Sequence, residues 1–273
     1  MQRGNLILEL TKKRIVVKVG TSTLTHESGS LDLRRMEQLV RVLSDLSGSG
    51  HEVILVTSGA IAVGTARLGL PERPRELRMK QAAAAVGQCR MMHLYDKLFS
   101  EYNRSMAQIL LTGDDVEDPG RADHLRSTFS ALLEMGVIPV VNENDSVSSA
   151  EIETGHHKVL GDNDTLSAIV AKLCRADLLV LLSDIDGLYD ADPKDHPDAR
   201  LLYSVTALTD EILHMAGGAG TWRGTGGMAT KLSAASIALE NGFDMVITNG
   251  AHMEQLYGIV EGQDIGTRFH AAR

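Results

Sequence analysis

Short runs of β-branched and aliphatic residues alternate along the chain with longer amphipathic stretches, the pattern of βαβ units around a mostly parallel sheet. Strands are predicted at 14–19 (RIVVKV), 52–57 (EVILVT), 107–112 (AQILLT), 137–142 (VIPVVN), 177–183 (DLLVLLS) and 244–248 (DMVIT). Helices are predicted between them at about 32–47, 78–101, 121–135, 164–174, 208–216 and 228–241. Because the strand runs are nearly continuous Val, Ile and Leu, both faces of the sheet should be covered, which gives three α/β/α layers. No internal repeat and no Gly/Ser- or Pro-rich linker divides the 273 residues, so one domain spanning 1–273 is expected.

Composition narrows the class. With 43% hydrophobic and 23% charged residues the chain can build a core, which excludes disordered and low-complexity proteins. Its net charge of −9 lacks the basic footprint of a nucleic-acid binder, so any anionic ligand has to be held by a few placed cations. No segment approaches the roughly 18 apolar residues of a membrane span, and the N-terminal apolar stretch is too short for a signal peptide. A cytoplasmic protein is expected, with the N-x-S/T triplets at Asn103, Asn144 and Asn163 left unglycosylated. Cys89 and Cys174 are far apart without CxxC spacing and read as small core residues in a reducing compartment.

Ligands of an open parallel sheet gather beyond the carboxyl ends of its strands. The residues there are small, polar and glycine-rich: Lys18-Val-Gly-Thr-Ser, Thr57-Ser-Gly-Ala, Asn142-Glu-Asn-Asp, Ser183-Asp-Ile-Asp-Gly and Thr248-Asn-Gly. Lys18 interrupts an apolar strand, and alternation puts it with Val16 and Gly20 opposite Ile15, Val17 and Val19. Its ammonium either meets an anion or snorkels at the strand end. A second cation, Lys231, closes GTGGMATK, where glycines opening into a helix present free N–H groups suited to a polyphosphate. That segment is neither a Walker A loop nor, lacking a strand before it, a Rossmann fingerprint. A third cluster, Asp162-Asn163-Asp164, precedes a helical run. One of the three is an N-cap, but three polar side chains exceed what a helix start needs. With Asn142 to Asp145 they can form a pocket for a zwitterionic substrate. Asp184-Ile-Asp-Gly does not have the EF-hand spacing, and the adjacent His156 and His157 are not a helical zinc pair.

These motifs together resemble the amino acid kinase family, and within it the branch that phosphorylates the side-chain carboxylate of L-glutamate. The matching pieces are VVKVGTS (16–22), VTSGAIAVG (56–64), KQAAAAVGQ (80–88), QILLT (108–112), VIPVVNENDSV (137–147), GDNDTLSA (161–168), LLSDIDGLYDADP (181–193) and GTGGMATK (224–231). The resemblance implies the amino acid kinase fold and transfer of the ATP γ-phosphoryl group to glutamate, giving glutamyl 5-phosphate and ADP in proline biosynthesis. It implies catalysis by Lys18 and Lys231 with Asp164 orienting both. Glutamate contacts would come from Ser58, Asn144, Asp145, Asp162 and Asn163, with Gly20 and Thr21 beside the phosphoryl path. ATP contacts would come from Lys18, Ser183, Asp184, Thr225, Gly226, Gly227, Met228, Ala229, Thr230 and Lys231. Magnesium would arrive with the nucleotide rather than sit in a protein cage.

By the same resemblance, residues to about 170 serve mainly the amino acid and 171–273 mainly ATP. Proline would act as a feedback inhibitor, and the chain would assemble as a homo-oligomer, a dimer or tetramer, with no nucleic-acid or membrane partner. The sequence departs from the family pattern at Leu160, at Asp190 and in a slightly long EIETGHHKVL segment, and the RNA-binding-type PUA domain of many relatives is expected to be absent. Acetylglutamate, aspartate or carbamate as the acceptor, and a non-catalytic amino acid sensor, are the competing readings.

Overall fold

A computed structural model describes residues 12–147, 162–193, 195–215 and 227–271. Its elements in chain order are β1 (Arg14–Val19), α1 (Thr21–Leu24), α2 (Leu33–Gly48), β2 (Glu52–Val56), α3 (Ala60–Arg67), α4 (Leu77–Glu101), β3 (Met106–Leu111), α5 (Gly113–Glu117) and α6 (Pro119–Glu134). The second half adds β4 (Ile138–Glu143), α7 (Asn163–Cys174), β5 (Leu178–Ser183), β6 (Ser204–Val205), α8 (Asp210–Met215), α9 (Met228–Asn241), β7 (Asp244–Asn249), α10 (Gln255–Glu261) and β8 (Thr267–Phe269). All six strands read from the hydrophobic runs are present, with ends displaced by no more than a residue. The short elements α1, α3, α5, α10, β6 and β8 were not legible, because a few residues do not complete a detectable period.

The strands form one sheet in the order β3-β4-β2-β1-β5-β7-β8-β6. Every described pairing is parallel except that of β7 with β8. Alternation along β1 sends Ile15, Val17 and Val19 to one core, with Leu39 and Leu43 of α2, Tyr95 and Phe99 of α4, and Ile259 of α10. Val16 points the other way, into a second core built with Phe129 of α6, Leu166 and Val170 of α7, and Leu232 and Ala235 of α9. Two cores on opposite faces of one sheet make the three-layer α/β/α architecture, and they place Lys18 on the α7/α9 side. Among the described residues no helix is long and apolar enough to cross a membrane.

Local chemistry sets where the helices begin. Asp32 and Asp118 cap α2 and α6 by accepting the N–H groups of Arg35 and Arg121, and Pro119 occupies the first turn of α6, where a missing N–H costs nothing. Helices α3 and α4 touch at a pair of glycines. A Cβ on Gly64 would lie 1.7 Å from the Ala83 carbonyl oxygen, and one on Gly87 would lie 1.8 Å from that of Ala60. The contact fixes the start of α3, and with it the preceding Ser58 turn, against the longest helix of the fold. Cys174 is buried as expected, whereas Cys89 is exposed. One step past the buried Gln88 turns Cys89 about 100° around α4, off the packed face.

Candidate active site

From the central β1 the next strand, β2, lies on one side and β5 on the other, so the chain leaves β1 at a switch point where a cleft opens at the carboxyl ends. A cavity of about 420 Å³ occupies that place. Its wall includes Lys18 near the end of β1 with Gly20 and Thr21 following, Ser58 after β2, Ser183 at the end of β5 with Asp184 following, Asn163 at the start of α7, and Lys231 of α9.

Asp164, only 4% exposed, ties three of these elements together. Its Oδ1 is 2.6 Å from Lys18 Nζ, and its Oδ2 is 3.2 Å from Lys231 Nζ. Thr230 Oγ1 donates to the same Oδ2 at 2.8 Å and also lies 3.0 Å from the Gly227 carbonyl oxygen. Burial on its own would raise the Asp164 pKa, but the Lys18 and Lys231 ammoniums outweigh it and hold the carboxyl below its ordinary value. One carboxylate thus holds two lysines at the wall of one cavity.

The three polar residues at the head of α7 take three different tasks. Asp162 is the N-cap: its Oδ1 accepts the N–H groups of Asp164 and Thr165 at 2.7 and 3.0 Å, and its Oδ2 accepts from Thr165 Oγ1. Asn163 faces the cavity, and Asp164 turns inward to the lysines. On the β2 side, Ser58 Oγ donates to the Val19 carbonyl at 3.1 Å and accepts from Thr21 Oγ1 at 3.2 Å, which joins the two strand ends. Asn144 is half-buried, and its N–H donates to the Leu111 carbonyl. Asp145 is likewise half-buried in the turn after β4.

Ser183 Oγ donates to Asp184 Oδ1 at 3.0 Å. Asp184 and Lys231 also border a second, larger cavity of about 770 Å³, which extends along the loop after β5 to Tyr189 and to Asn249 at the end of β7. Gly227 and Met228, at the start of α9, line it too, with Ala229 and Thr230 following in the first turn. Thr225 and Gly226 lie outside the described residues.

Two groups escaped the sequence reading. The first is Gln88 of α4: Asn142, which the sequence placed only in the substrate pocket, is 1% exposed and donates from Nδ2 to Gln88 Oε1 at 2.8 Å, a buried amide pair beneath the β4 end. The second is Asp186, Tyr189 and Asn249, which each lie inside a motif but had no role until the loop and β7 were seen together. Among the described residues no group of three His, Cys, Asp or Glu side chains is gathered to hold a metal ion.

A three-layer α/β/α fold with two lysines in the cleft at its switch point fits the class of the amino acid kinases, and the sequence model of the amino acid kinase family matches residues 13–249. The T. acidophilum isopentenyl phosphate kinase product complex superposes with a TM-score of 0.62 at 19% identity, covering 94% of this chain and all of that one, which speaks to the fold. Glutamate 5-kinase of Clostridium perfringens is 54% identical over 261 residues, 96% of each chain. Glutamate 5-kinase of Clostridium tetani is 53% identical over the same length and coverage. The chain belongs to the amino acid kinase family, in its glutamate 5-kinase branch.

Proposed function

We propose that this chain transfers the γ-phosphoryl group of ATP to the side-chain carboxylate of L-glutamate, forming L-glutamyl 5-phosphate and ADP as the first step of proline biosynthesis. The observation that carries this reading is the pair of lysines from β1 and α9 held on the two oxygens of Asp164 at the cavity wall. The acceptor is already ionised near neutral pH, so a carboxylate oxygen attacks the γ-phosphorus without losing a proton. The Pγ–O bond to the β-phosphate breaks, and its electron pair leaves with ADP. What remains for the protein is alignment and neutralisation of charge, tasks that two ammoniums approaching from different elements perform.

On this reading Ser58, Asn144, Asp145 and Asn163 hold glutamate, while Asp162 caps α7 and adds a fixed negative charge toward the ammonium group. Gly20 and Thr21 border the phosphoryl path. Ser183, Asp184 and the run from Thr225 to Lys231 hold ATP, with the α9 N-terminus facing the phosphates. The amino acid is served mainly by the part of the chain before about residue 170 and the nucleotide by 171–273. Magnesium enters as part of the nucleotide substrate, since the ion keeps several waters and binds through phosphates. The enzyme acts in the cytoplasm as a homo-oligomer, dimer or tetramer, and proline competes in the glutamate pocket.

The test is ADP release with ATP and magnesium against glutamate, acetylglutamate, aspartate and carbamate, with Lys231→Ala alongside. Glutamate-dependent turnover that drops about 10²- to 10³-fold in the variant is expected, the usual loss for one electrostatic catalyst. Turnover of acetylglutamate but not glutamate overturns the assignment of the acceptor.

A further inference from the structure

The wall of the larger cavity carries charges of both signs: Lys231 and the first residues of α9 contribute the positive side, and Asp184, Asp186, Asp192 and Asp195 line it from the loop after β5. Phosphates belong with the ammonium and the free N–H groups of the helix start. An ionised carboxylate only accepts hydrogen bonds, so the part of a ligand lying against the acidic wall has to donate them.

Asp186 is the fixed acceptor on that wall. Asn249 Nδ2 donates to its Oδ1 at 2.8 Å, and Tyr189 OH donates to its Oδ2 at 3.3 Å. The loop that carries it is pinned from β8, where Thr267 Oγ1 accepts the Leu188 N–H at 2.8 Å. Asp186 forms no ion pair among the described residues, and each oxygen keeps a lone pair beyond the one its donor uses. Asp184 and Lys231 border both cavities and so mark their junction, where the ammonium suits phosphates. Asp186 borders only the larger one, two residues on. That step spans at most about 7 Å, the scale of one sugar ring rather than of a whole nucleoside.

We infer that Asp186, held by Asn249 and Tyr189, is a specificity-determining residue that accepts a hydrogen bond from a ribose hydroxyl of the nucleotide. A carboxylate on a ribose hydroxyl is the same chemistry that selects NAD in dinucleotide sites. The inference rests on the nucleotide reading of this cavity given above, and it adds the part of the nucleotide that is recognised and the residue that recognises it.

The experiment compares ATP, 2′-deoxyATP and 3′-deoxyATP, by glutamate-dependent ADP release and by calorimetric titration. For the wild-type chain at least one deoxy analogue loses roughly 10- to 100-fold in kcat/KM and in affinity, the worth of a hydrogen bond to a charged group. In Asp186→Ala, ATP falls to the level of that analogue, the discrimination disappears and the KM for glutamate is unchanged. Asp186→Asn, which keeps one acceptor oxygen, lies between. A wild-type chain that treats the three nucleotides alike, or an Asp186→Ala variant that still discriminates between them, overturns the inference. Failure of glutamate turnover alone strikes the acceptor assignment, and the titrations still decide on Asp186. Failure of all three nucleotides to bind overturns both.

Discussion

Lys18 Nζ and Asp164 Oδ1 stand 2.6 Å apart, joining the end of the central strand to the start of α7, and the second oxygen of the same carboxylate is committed to Lys231. Asp164→Asn leaves two largely buried ammoniums facing each other across a neutral amide. Removing one member of a buried ionic cluster costs about 3 kcal/mol or more. The variant is therefore expected to melt lower than the wild-type chain and to lose kcat. Saturating ATP should restore more of its melting temperature than it adds to the wild type, because the phosphates replace the missing negative charge. Thermal melts with and without the nucleotide check this.

The acid limb of stability is expected to fall in two stages. Burial first, and the Lys13 ammonium second, lower the pKa of His51, whose Nδ1 accepts the Lys13 N–H at 3.2 Å. A base with a depressed folded pKa resists protonation while the unfolded chain takes up the proton. Stability is thus full above about pH 6.5 and declines as pH falls through the folded value. Asp164, Glu52 and Asp115 also have lowered values, so their contributions are full above about pH 4 and are lost below it. Melting temperature against pH for the wild type and His51→Gln is the measurement. The variant should lack the decline that begins near pH 6.5 and keep the one below 4.

Gly64 and Gly87 allow α3 and α4 to touch through their backbones, and neither position has room for a methyl group. Gly64→Ala forces the helices apart and is expected to cost about 2–3 kcal/mol. Because α3 follows directly on Ser58, the KM for glutamate should rise more than the KM for ATP. Urea titration and steady-state kinetics on the same preparation separate the two effects.

The cysteines differ in reactivity. Burial pushes the Cys174 thiol up to about 12, which leaves it protonated and unreactive, while Cys89 is exposed on α4. A thiol reagent at pH 8 should titrate one group per chain in the folded protein and two after denaturation. Cys89→Ser is expected to abolish the first while leaving the second.

The hydrophobic pattern alone located β1, β2, β3, β4, β5 and β7 and the long helices, because Val/Ile/Leu runs and helical periodicity are local properties carried by each segment. Alternation along β1 likewise determined which face Lys18 takes. The short β8 and α10 left no such trace, yet β8 supplies Thr267, which pins the loop carrying Asp186. Within Asp162-Asn163-Asp164 residue type alone offered three equivalent polar residues, and it was the family resemblance that assigned Asp164 to the two lysines. The start of α7, packed against β1 and α9, makes Asp162 the cap, Asn163 a cavity residue and Asp164 the holder of both lysines. Distances between side chains from remote segments depend on how the sheet orders its strands and how the helices pack on it. That order is a property of the whole chain, so the geometry that puts Lys18 and Lys231 on separate oxygens of Asp164 was decided by the tertiary structure.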